Sequence, residues 1–277
     1  MTEEFTAADK RRLEKAMRAQ RVVADKGALF DRPIPDELLT PYVLKDGETS
    51  NRREIQRKYA QRPQNIHRCW NRFSLYLPEL MYHDAPQRVF EMSTGHGGML
   101  EVARYFGHEV LGNDFANMVS DSPADSSATH RRANDENFSR SVDDYGIPIP
   151  QDGAAKDWPY RRIIEAIDMP ITLFDAGKIP YPLDDKSQDV VICMQAIEHY
   201  CHPDDWMLIV DEFCRIATKT IVVLLNPLFP RFKTDPDYVA SFHAFRAGMQ
   251  NYRKNGFTTT SCHIHWAEPL GFKLTAN

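Results

Sequence analysis

From Gln87 onward, short apolar runs alternate with helical segments, and this alternation leaves the chain few folds to choose from. The runs rich in Val, Ile and Leu predict five strands, at residues 88–92, 109–113, 171–174, 189–194 and 220–225. Helices are expected between them, at residues 98–106 and 203–217. Such alternation is typical of a doubly wound, mostly parallel α/β sheet, which binds ligands beyond the carboxyl ends of its strands.

Three glycines stand directly after the first strand, at positions 95, 97 and 98. Glycine lets the backbone turn sharply, and it lets a ligand approach main-chain N–H groups at the N-terminus of the next helix. Glu91 lies at the end of the same strand, where its carboxylate could take a cationic group. The first strand tip is therefore predicted to be part of a ligand site.

Acidic residues also follow the second and third strands. Asp114 comes 17 residues beyond Gly97 and is placed to accept hydrogen bonds from two ribose hydroxyls. Asp175, followed by Ala176, is placed to meet the exocyclic amine and a ring nitrogen of adenine. Together these residues predict that the sheet binds a nucleoside.

The motifs in this order resemble those of class I S-adenosylmethionine-dependent methyltransferases. The resemblance rests on Glu91-Met-Ser-Thr-Gly95-His-Gly97, on Asp114, on Asp175-Ala176 and on the segment SQDVVICMQAIEHY, and it covers residues 87–225. It implies an S-adenosylmethionine cofactor and a seven-stranded sheet. The implied cofactor-binding residues are Glu91, Ser93, Gly95 and Gly97 with Gln195, Asp114 for the ribose, and Asp175 and Ala176 for adenine.

The main alternative is a dinucleotide-binding Rossmann domain, which also carries an acid after its second strand. Its fingerprint is G-x-G-x-x-G, but Leu100 stands where the third glycine belongs. The methyltransferase pattern has one departure too, because Ser93 replaces the first glycine of D/E-x-G-x-G-x-G. Serine still allows a tight turn, so the methyltransferase interpretation is kept.

The segment CMQAIEHYCHPDDW follows the fourth strand, where cofactor and acceptor should meet. Methyl transfer to a hydroxyl requires alignment of the nucleophile and removal of its proton. His199 is the candidate general base, because imidazole titrates near neutral pH. The alternative is structural, since an E-H pair recurs here in the resembling family and Glu198 can brace the next helix.

A metal site is not expected. Some members of the resembling family have an E-x-x-E-H metal site, but Gln195 stands at the first glutamate position, and an amide replaces a carboxylate poorly as a ligand of a hard cation. His263 and His265 could complete such a site, because alternate residues of a strand share one face. Asn226-Pro227 is similar to a signature of amino-methylating enzymes but follows the fifth strand, so only a pocket-lining role is left for Asn226.

Two additions to the core are predicted to shape the acceptor site. Residues 1–85 are expected to form an N-terminal helical extension or cap, and residues 86–277 the core. Within the core, residues 117–169 are an insertion between the second and third strands, interpreted as a lid or substrate wall. Its polar composition leaves a disordered excursion as the alternative.

Basic residues cluster in the predicted cap. They could hold a phosphate or carboxylate of the acceptor, for which arginine is suited, or they could form a solvated helix face. They are Arg52, Arg53, Arg57, Lys58, Arg62, Arg68 and Arg72.

Composition restricts the partners. The net charge of −5 gives no overall basic field for nucleic acid. No apolar run approaches the roughly 20 residues that a bilayer requires, and the first residues are charged where a signal peptide is apolar. Five cysteines without a C-x-x-C pair favour reduced thiols. We therefore expect a cytoplasmic protein with no membrane partner, and the sequence leaves its oligomeric state open.

The expected function is transfer of a methyl group to oxygen or nitrogen of a polar small-molecule acceptor, such as a sugar, a nucleotide-linked compound or an anionic metabolite. Two alternatives stay open. An RNA methyltransferase would use the arginine cluster together with Trp70 and Phe73. A non-catalytic protein would bind the cofactor without transferring its methyl group.

Overall fold

The computed structural model of the chain describes residues 33–44, 61–114, 133, 160–265 and 268–277. Three helices precede the sheet: α1 (Asp36–Leu39), α2 (Arg62–Tyr76) and α3 (Pro78–Met81). Much of the predicted N-terminal extension, at residues 1–32 and 45–60, and most of the insertion at 117–169 lie outside the described residues. The division into a cap at 1–85 and a core at 86–277 stays a prediction.

The core follows in chain order. Its elements are β1 (Arg88–Met92), α4 (Gly98–Tyr105), β2 (Glu109–Asp114), α5 (Arg161–Ala166), β3 (Ile171–Leu173), β4 (Gln188–Met194), α6 (Trp206–Ile216), β5 (Ala217–Leu224), α7 (Pro236–Gln250), β6 (Arg253–Lys254), β7 (Phe257–His265) and β8 (Glu268–Ala276). Short 3₁₀ turns occur at Ile197–His199, Pro203–Asp205 and Pro230–Phe232.

The strands form one mixed sheet in the order β3-β2-β1-β4-β5-β8-β7-β6. All pairs from β3 to β5 are parallel, whereas β8 pairs antiparallel with β5 and with β7. The chain runs outward from β1 to β3 and then returns to place β4 on the other side of β1. The switch point between β1 and β4 is where a doubly wound sheet opens a crevice for a ligand.

The predicted α/β fold is confirmed. The first strand has the predicted bounds, and the other four differ from prediction by one to three residues at an end. The sheet has eight strands where the resemblance implied seven, and the difference is the two-residue β6. The helix predicted at 203–217 begins as a 3₁₀ turn and continues as α6.

Both faces of the sheet are covered, which explains why the central strands are mostly apolar. On one face Phe90 and Val191 pack in a cluster with Trp206 of α6 and Phe242 of α7. On the other face the cluster includes apolar residues of β1, β4 and β5 together with those of α2, α4 and α5. Burial on both faces is expected for strands of a parallel sheet.

Helix α2 and the short α3 pack on the core through apolar residues at helical spacing. Seven of these residues are buried: Ile66, Cys69, Trp70, Phe73, Leu77, Leu80 and Met81. The helix ends at Tyr76, and Leu77 leaves the helical conformation with φ −133° and ψ 43° before Pro78 begins α3. Pro78 accounts for this break, because proline disfavours a helical conformation in the residue before it.

Helices of the described segments are short. The longest, α2 and α7, have 15 residues each. A bilayer requires roughly 20 apolar residues. No helix in the described part of the chain is long and apolar enough to cross a membrane.

Candidate functional site

The loop after β1 has an unusual backbone. Ser93, Gly95 and Gly97 all have positive φ angles, at 52°, 58° and 77°. Only glycine takes this left-handed conformation without a steric penalty, so the sequence needs glycines here. Ser93, which departs from the family pattern, adopts the same conformation, and it also forms a side-chain hydrogen bond with Tyr200.

Gly97 has a second constraint, which is packing. A Cβ atom at this position would lie 2.8 Å from Cδ1 of Ile167 and 3.1 Å from Cδ1 of Ile164. Helix α5 therefore approaches the start of α4 closely because residue 97 has no side chain. Gly97, a predicted cofactor residue, is not among the residues that line the cleft described below.

The tips of β1 and β2 are hydrogen bonded to each other. The N–H of Gly95 donates to Oδ2 of Asp114 at 3.2 Å, and the N–H of Thr94 donates to the carbonyl of Asn113 at 2.8 Å. Asn113 also joins β2 to the third strand, because its Nδ2 donates to the carbonyls of Thr172 and Phe174. The two acids predicted for one ligand, Glu91 and Asp114, thus end neighbouring parallel strands.

One cleft lies beyond the carboxyl ends of β1, β2, β3 and β4, with an empty space of about 1070 Å³ including the part open to solvent. Eight of the nine predicted site residues line it, Gly97 being the exception. The eight are Glu91, Ser93, Gly95, Asp114, Asp175, Ala176, Gln195 and His199. They come from four separate chain segments, which the switch point of the sheet brings together.

Glu91 is one of the two most buried acids of the cleft, with 4% of its surface exposed, against 3% for Asp114. Burial raises the pKa of its carboxyl group well above the ordinary value, Asp114 raises it further, and Arg72 opposes the shift. Its Oε2 atom is buried and has no hydrogen-bond partner within the described segments. A buried acceptor without a donor is costly, so this atom fits a site that receives a cationic or N–H donor.

The structure divides the arginine cluster by role. Arg62 is structural, because it forms an ion pair with Glu101 and donates to the carbonyls of Glu37 and Thr40. Arg68 and Arg72, one helical turn apart on α2, instead line the cleft. The other four basic residues, at positions 52, 53, 57 and 58, lie outside the described residues.

Four side chains connect α2 to the loops after β4 and β5. Arg72 donates to Oε1 of Gln195, and Nε2 of Gln195 donates to Oδ1 of Asn226 at 2.9 Å. The main-chain N–H of Asn226 donates to Oε1 of Glu198. Gln195 itself has a positive φ of 57°, so this network holds a strained residue in the wall of the cleft.

His199, the candidate base, ends the 3₁₀ turn after β4 and is partly buried. Its ring lies beside that of Phe229, with 6.1 Å between centroids. Glu198, the residue before it, does not line the cleft and is almost fully buried. Burial raises the pKa of Glu198 to about 7, and its hydrogen bond from Asn226 partly opposes this shift.

The tip of β3 forms the other end of the cleft. Oδ1 of Asp175 accepts from the N–H of Gly177 at 2.9 Å, so part of this carboxylate caps a turn. The carbonyl of Ala176 accepts from the hydroxyl of Tyr181 at 2.9 Å, which fixes the turn against the core. Contacts within the protein therefore hold Asp175 and Ala176 in position without a ligand.

Of the two histidines considered for a metal, the structure describes the side chain of His263. His263 packs against Tyr76, with 5.7 Å between ring centroids, and does not line the cleft. The side chain of His265 lies outside the described part. Within the described segments, no group of three or more His, Cys, Asp or Glu side chains is placed to hold a metal ion.

Three cleft residues carried no signal strong enough to select them from the sequence: His96, Tyr160 and Tyr200. Burial, with Arg68 and Arg72 nearby, lowers the pKa of His96 to about 3, and its Nδ1 accepts from the N–H of Gly98 at 3.1 Å. His96 is thus a neutral part of the loop. For His96 and Tyr200, membership of the quoted motifs was the available hint.

No known protein-family model matches this sequence, and no curated protein matches it. Solved structures are similar in fold. The PH0226 protein of Pyrococcus horikoshii OT3 is 16% identical, over 75% of this chain and 91% of that one, with a TM-score of 0.44. Magnesium protoporphyrin IX methyltransferase of Synechocystis PCC 6803, with bound S-adenosylhomocysteine, is 11% identical over 84% and 90%, with a TM-score of 0.41.

A third similar structure is the 16S rRNA methyltransferase RmtF in complex with S-adenosylhomocysteine, which is 9% identical over 96% of this chain and 76% of that one, with a TM-score of 0.40. Likenesses this remote decide nothing about the activity of this chain. By its own sheet topology and the place of its cleft, the chain has the Rossmann-like α/β fold of class I methyltransferases that the sequence resemblance implied.

Proposed function

We propose that this chain is an S-adenosylmethionine-dependent methyltransferase that acts on a polar small molecule. The observation that carries the proposal is the convergence of eight predicted residues, from four separate chain segments, on one cleft at the switch point of the sheet. A chance pattern of glycines and acids would not be expected to assemble in this way. The convergence also supports a nucleoside ligand, because the acids end successive strands.

The residues present fit this cofactor. Asp114 would accept hydrogen bonds from the ribose, while Asp175 and Ala176 would meet adenine. Glu91 would take the ammonium of the methionine part, and its Oε2 atom, buried and without a donor in the described structure, supports this role. A second buried acceptor of the cleft, Oδ1 of Asn113, also has no partner among the described residues. When bound, the cofactor supplies an electrophilic methyl group.

His199 is the proposed general base for the acceptor. It lines the cleft just beyond β4, on the segment that also positions Gln195. A base at this place would remove the proton of an acceptor hydroxyl or amine as the nucleophile is aligned. Replacing His199 with glutamine should lower kcat by about 100-fold, the scale of general base catalysis, and leave affinity for S-adenosylhomocysteine unchanged.

Arg68 is the proposed contact for an anionic group of the acceptor. It lines the cleft, and its described hydrogen bond goes to the neutral side chain of Asn65 at 3.0 Å. Its guanidinium therefore has donors to spare for a carboxylate or phosphate. The expected result of Arg68→Met is a raised KM for the acceptor without a change in cofactor affinity.

Transfer of a labelled methyl group from S-adenosylmethionine tests the proposal. The protein should label a component of a fractionated metabolite extract, and His199→Gln should label it far more slowly. Label that appears in RNA, with binding that weakens as salt rises, would replace the small-molecule acceptor with RNA. Label in neither fraction, despite cofactor binding, would favour a non-catalytic protein.

A further inference from the structure

Asn226, for which the sequence leaves a pocket-lining role, is not among the residues that line the cleft. Its contacts go instead to the β4 loop (residues 195–200), which carries His199. Nε2 of Gln195 donates to Oδ1 of Asn226 at 2.9 Å, and Nδ2 of Asn226 donates to the carbonyl of Gln195 at 3.3 Å. The main-chain N–H of Asn226 donates to Oε1 of Glu198. Asn226 therefore holds the β4 loop from outside the cleft.

The donors and acceptors of this cluster match in only one arrangement. Arginine has no acceptor, so the atom of Gln195 that accepts from Arg72 must be its side-chain oxygen. The amide nitrogen of Gln195 then faces Asn226, which must present Oδ1 to it and Nδ2 to the carbonyl of Gln195. Turning over either amide would place donor against donor or acceptor against acceptor. Asn226 is thus paired specifically with both the side chain and the main chain of Gln195.

Gln195 needs this support because of its backbone. Its φ of 57° lies in the left-handed region, which is unfavourable for a residue with a side chain and in which glutamine is not enriched. Gln195 is the first residue after β4, so its conformation sets the direction in which the chain leaves the strand. The 3₁₀ turn that ends at His199 begins two residues later. The backbone of Gln195 therefore determines where His199 lies.

Asn226 can fix the loop because its own backbone is fixed. The N–H of Leu225 donates to the carbonyl of Leu270 in β8 at 2.6 Å, and both residues are buried. We infer that Asn226 is a positioning residue, which holds Gln195 in its left-handed conformation and thereby places His199 in the cleft.

Hydrogen exchange tests the inference without any acceptor. Asn226→Ala removes both hydrogen bonds to Gln195 but keeps the main-chain N–H of residue 226. The main-chain amides of Gln195, His199 and Tyr200 should then exchange about tenfold faster or more, which is the effect of losing one to two hydrogen bonds.

Two controls separate a local effect from a general loss of stability. The amides of Thr94 and Gly97, which are hydrogen bonded within the neighbouring glycine loop and strand tips, should stay within about twofold of their rates in the wild type. Asn251→Ala removes an exposed amide at the end of α7 and is the matched variant. It should change the exchange of neither loop.

The catalytic part of the inference rests on the proposed function, and kinetics tests it. The acceptor is the metabolite fraction that the wild type labels. Asn226→Ala should lower kcat about tenfold, because the base is misplaced, and should change KM for S-adenosylmethionine by less than about threefold. In the His199→Gln background the same change should lower kcat by less than about twofold, because the base is already absent.

The contrary results are distinct. Unchanged exchange at residues 195–200 would show that Asn226 does not hold the β4 loop, and faster exchange at Thr94 and Gly97 as well would show only a loss of stability. A tenfold fall in kcat that persists in the His199→Gln background would show that Asn226 acts elsewhere. Each result overturns the inference but not the proposed function. A wild type that labels no metabolite fraction overturns the proposed function, and the exchange test of Asn226 still applies.

Side-chain amide exchange in the wild type gives a test that does not depend on folding of a variant. The slower of the two Nε2 protons of Gln195 should exchange at least about tenfold more slowly than those of Gln250, which is exposed at the end of α7. Equal rates would overturn the inference even if Asn226→Ala does not fold.

Discussion

The main-chain N–H of Gly95 donates to Oδ2 of Asp114 at 3.2 Å, which ties the glycine loop after β1 to the acid at the end of β2. The carboxylate is thereby oriented by the same loop that borders the cleft. Asp114 is also almost fully buried, with 3% of its surface exposed. An acid held in this way is preorganised to accept hydrogen bonds from a ribose.

Asp114→Ala is expected to lower the affinity for S-adenosylhomocysteine and for 5′-methylthioadenosine alike, each by at least about tenfold, because the ribose is common to both ligands. Asp114→Asn should lose less of this affinity, since its amide oxygen can still accept from the N–H of Gly95. Titration calorimetry measures the affinity of each variant for both ligands. A loss confined to S-adenosylhomocysteine would place Asp114 at the methionine part and contradict the ribose assignment.

Gly97→Ala should destabilise the protein by about 3 kcal/mol, from a left-handed backbone that alanine disfavours and from overlap with Ile167. Gly95→Ala should cost about 1 kcal/mol, because its φ of 58° is similarly strained but the nearest atom, of Tyr160, is 3.8 Å from the added Cβ. Urea unfolding measures the free energy of unfolding of both variants. Equal losses of this free energy would mean that helix α5 does not pack against Gly97 in solution.

Arg62→Met should lower the free energy of unfolding by about 3 kcal/mol or more, because it leaves Glu101 buried without its ion-pair partner. Burial already raises the pKa of Glu101 despite Arg62. The double variant Arg62→Met, Glu101→Gln should recover part of the loss, since it removes the unpaired charge. If the double variant were less stable than the single one, the ion pair would not be the source of the effect.

Glu198 should make stability fall as pH rises. Its pKa is about 7 in the folded protein against 4.5 ordinarily, so the folded state binds the proton more tightly than the unfolded state. The stabilisation is complete below pH 4.5 and is lost as pH rises through 7, a change of about 3 kcal/mol. Glu198→Gln should lack this change.

Chemical unfolding of the wild type and Glu198→Gln between pH 5 and about 8 measures the difference, in which the contributions of other groups cancel. The free energy of unfolding of Glu198→Gln, relative to that of the wild type, should therefore increase as pH rises. A constant difference in free energy of unfolding across this range would show that Glu198 titrates normally and is not buried as described.

The strands and most of the site could be predicted from the sequence because both depend on local order along the chain. An apolar run followed by an acid or by glycines reports a strand and its tip, and the switch point then determines that Glu91, Asp114 and Asp175 meet. The positions of these residues relative to the strands were enough to predict their convergence.

The roles of the arginines could not be predicted in this way. Arg62, Arg68 and Arg72 look alike in the sequence, yet Arg62 meets a buried acid of α4 whereas the other two face the cleft. This difference depends on how α2 crosses the sheet, which is a tertiary relationship without a local signal. The packing of Gly97 could not be predicted locally either, because the close approach of Ile167 brings together residues 70 positions apart in the chain.

The most direct test of the central claim is titration of the wild-type protein with S-adenosylhomocysteine and, separately, with NAD. The account predicts one S-adenosylhomocysteine bound per chain, loss of most of that affinity in Asp114→Ala, and no binding of NAD. Preference for NAD, or binding of S-adenosylhomocysteine that Asp114→Ala leaves intact, would contradict the assignment of this cleft to the cofactor.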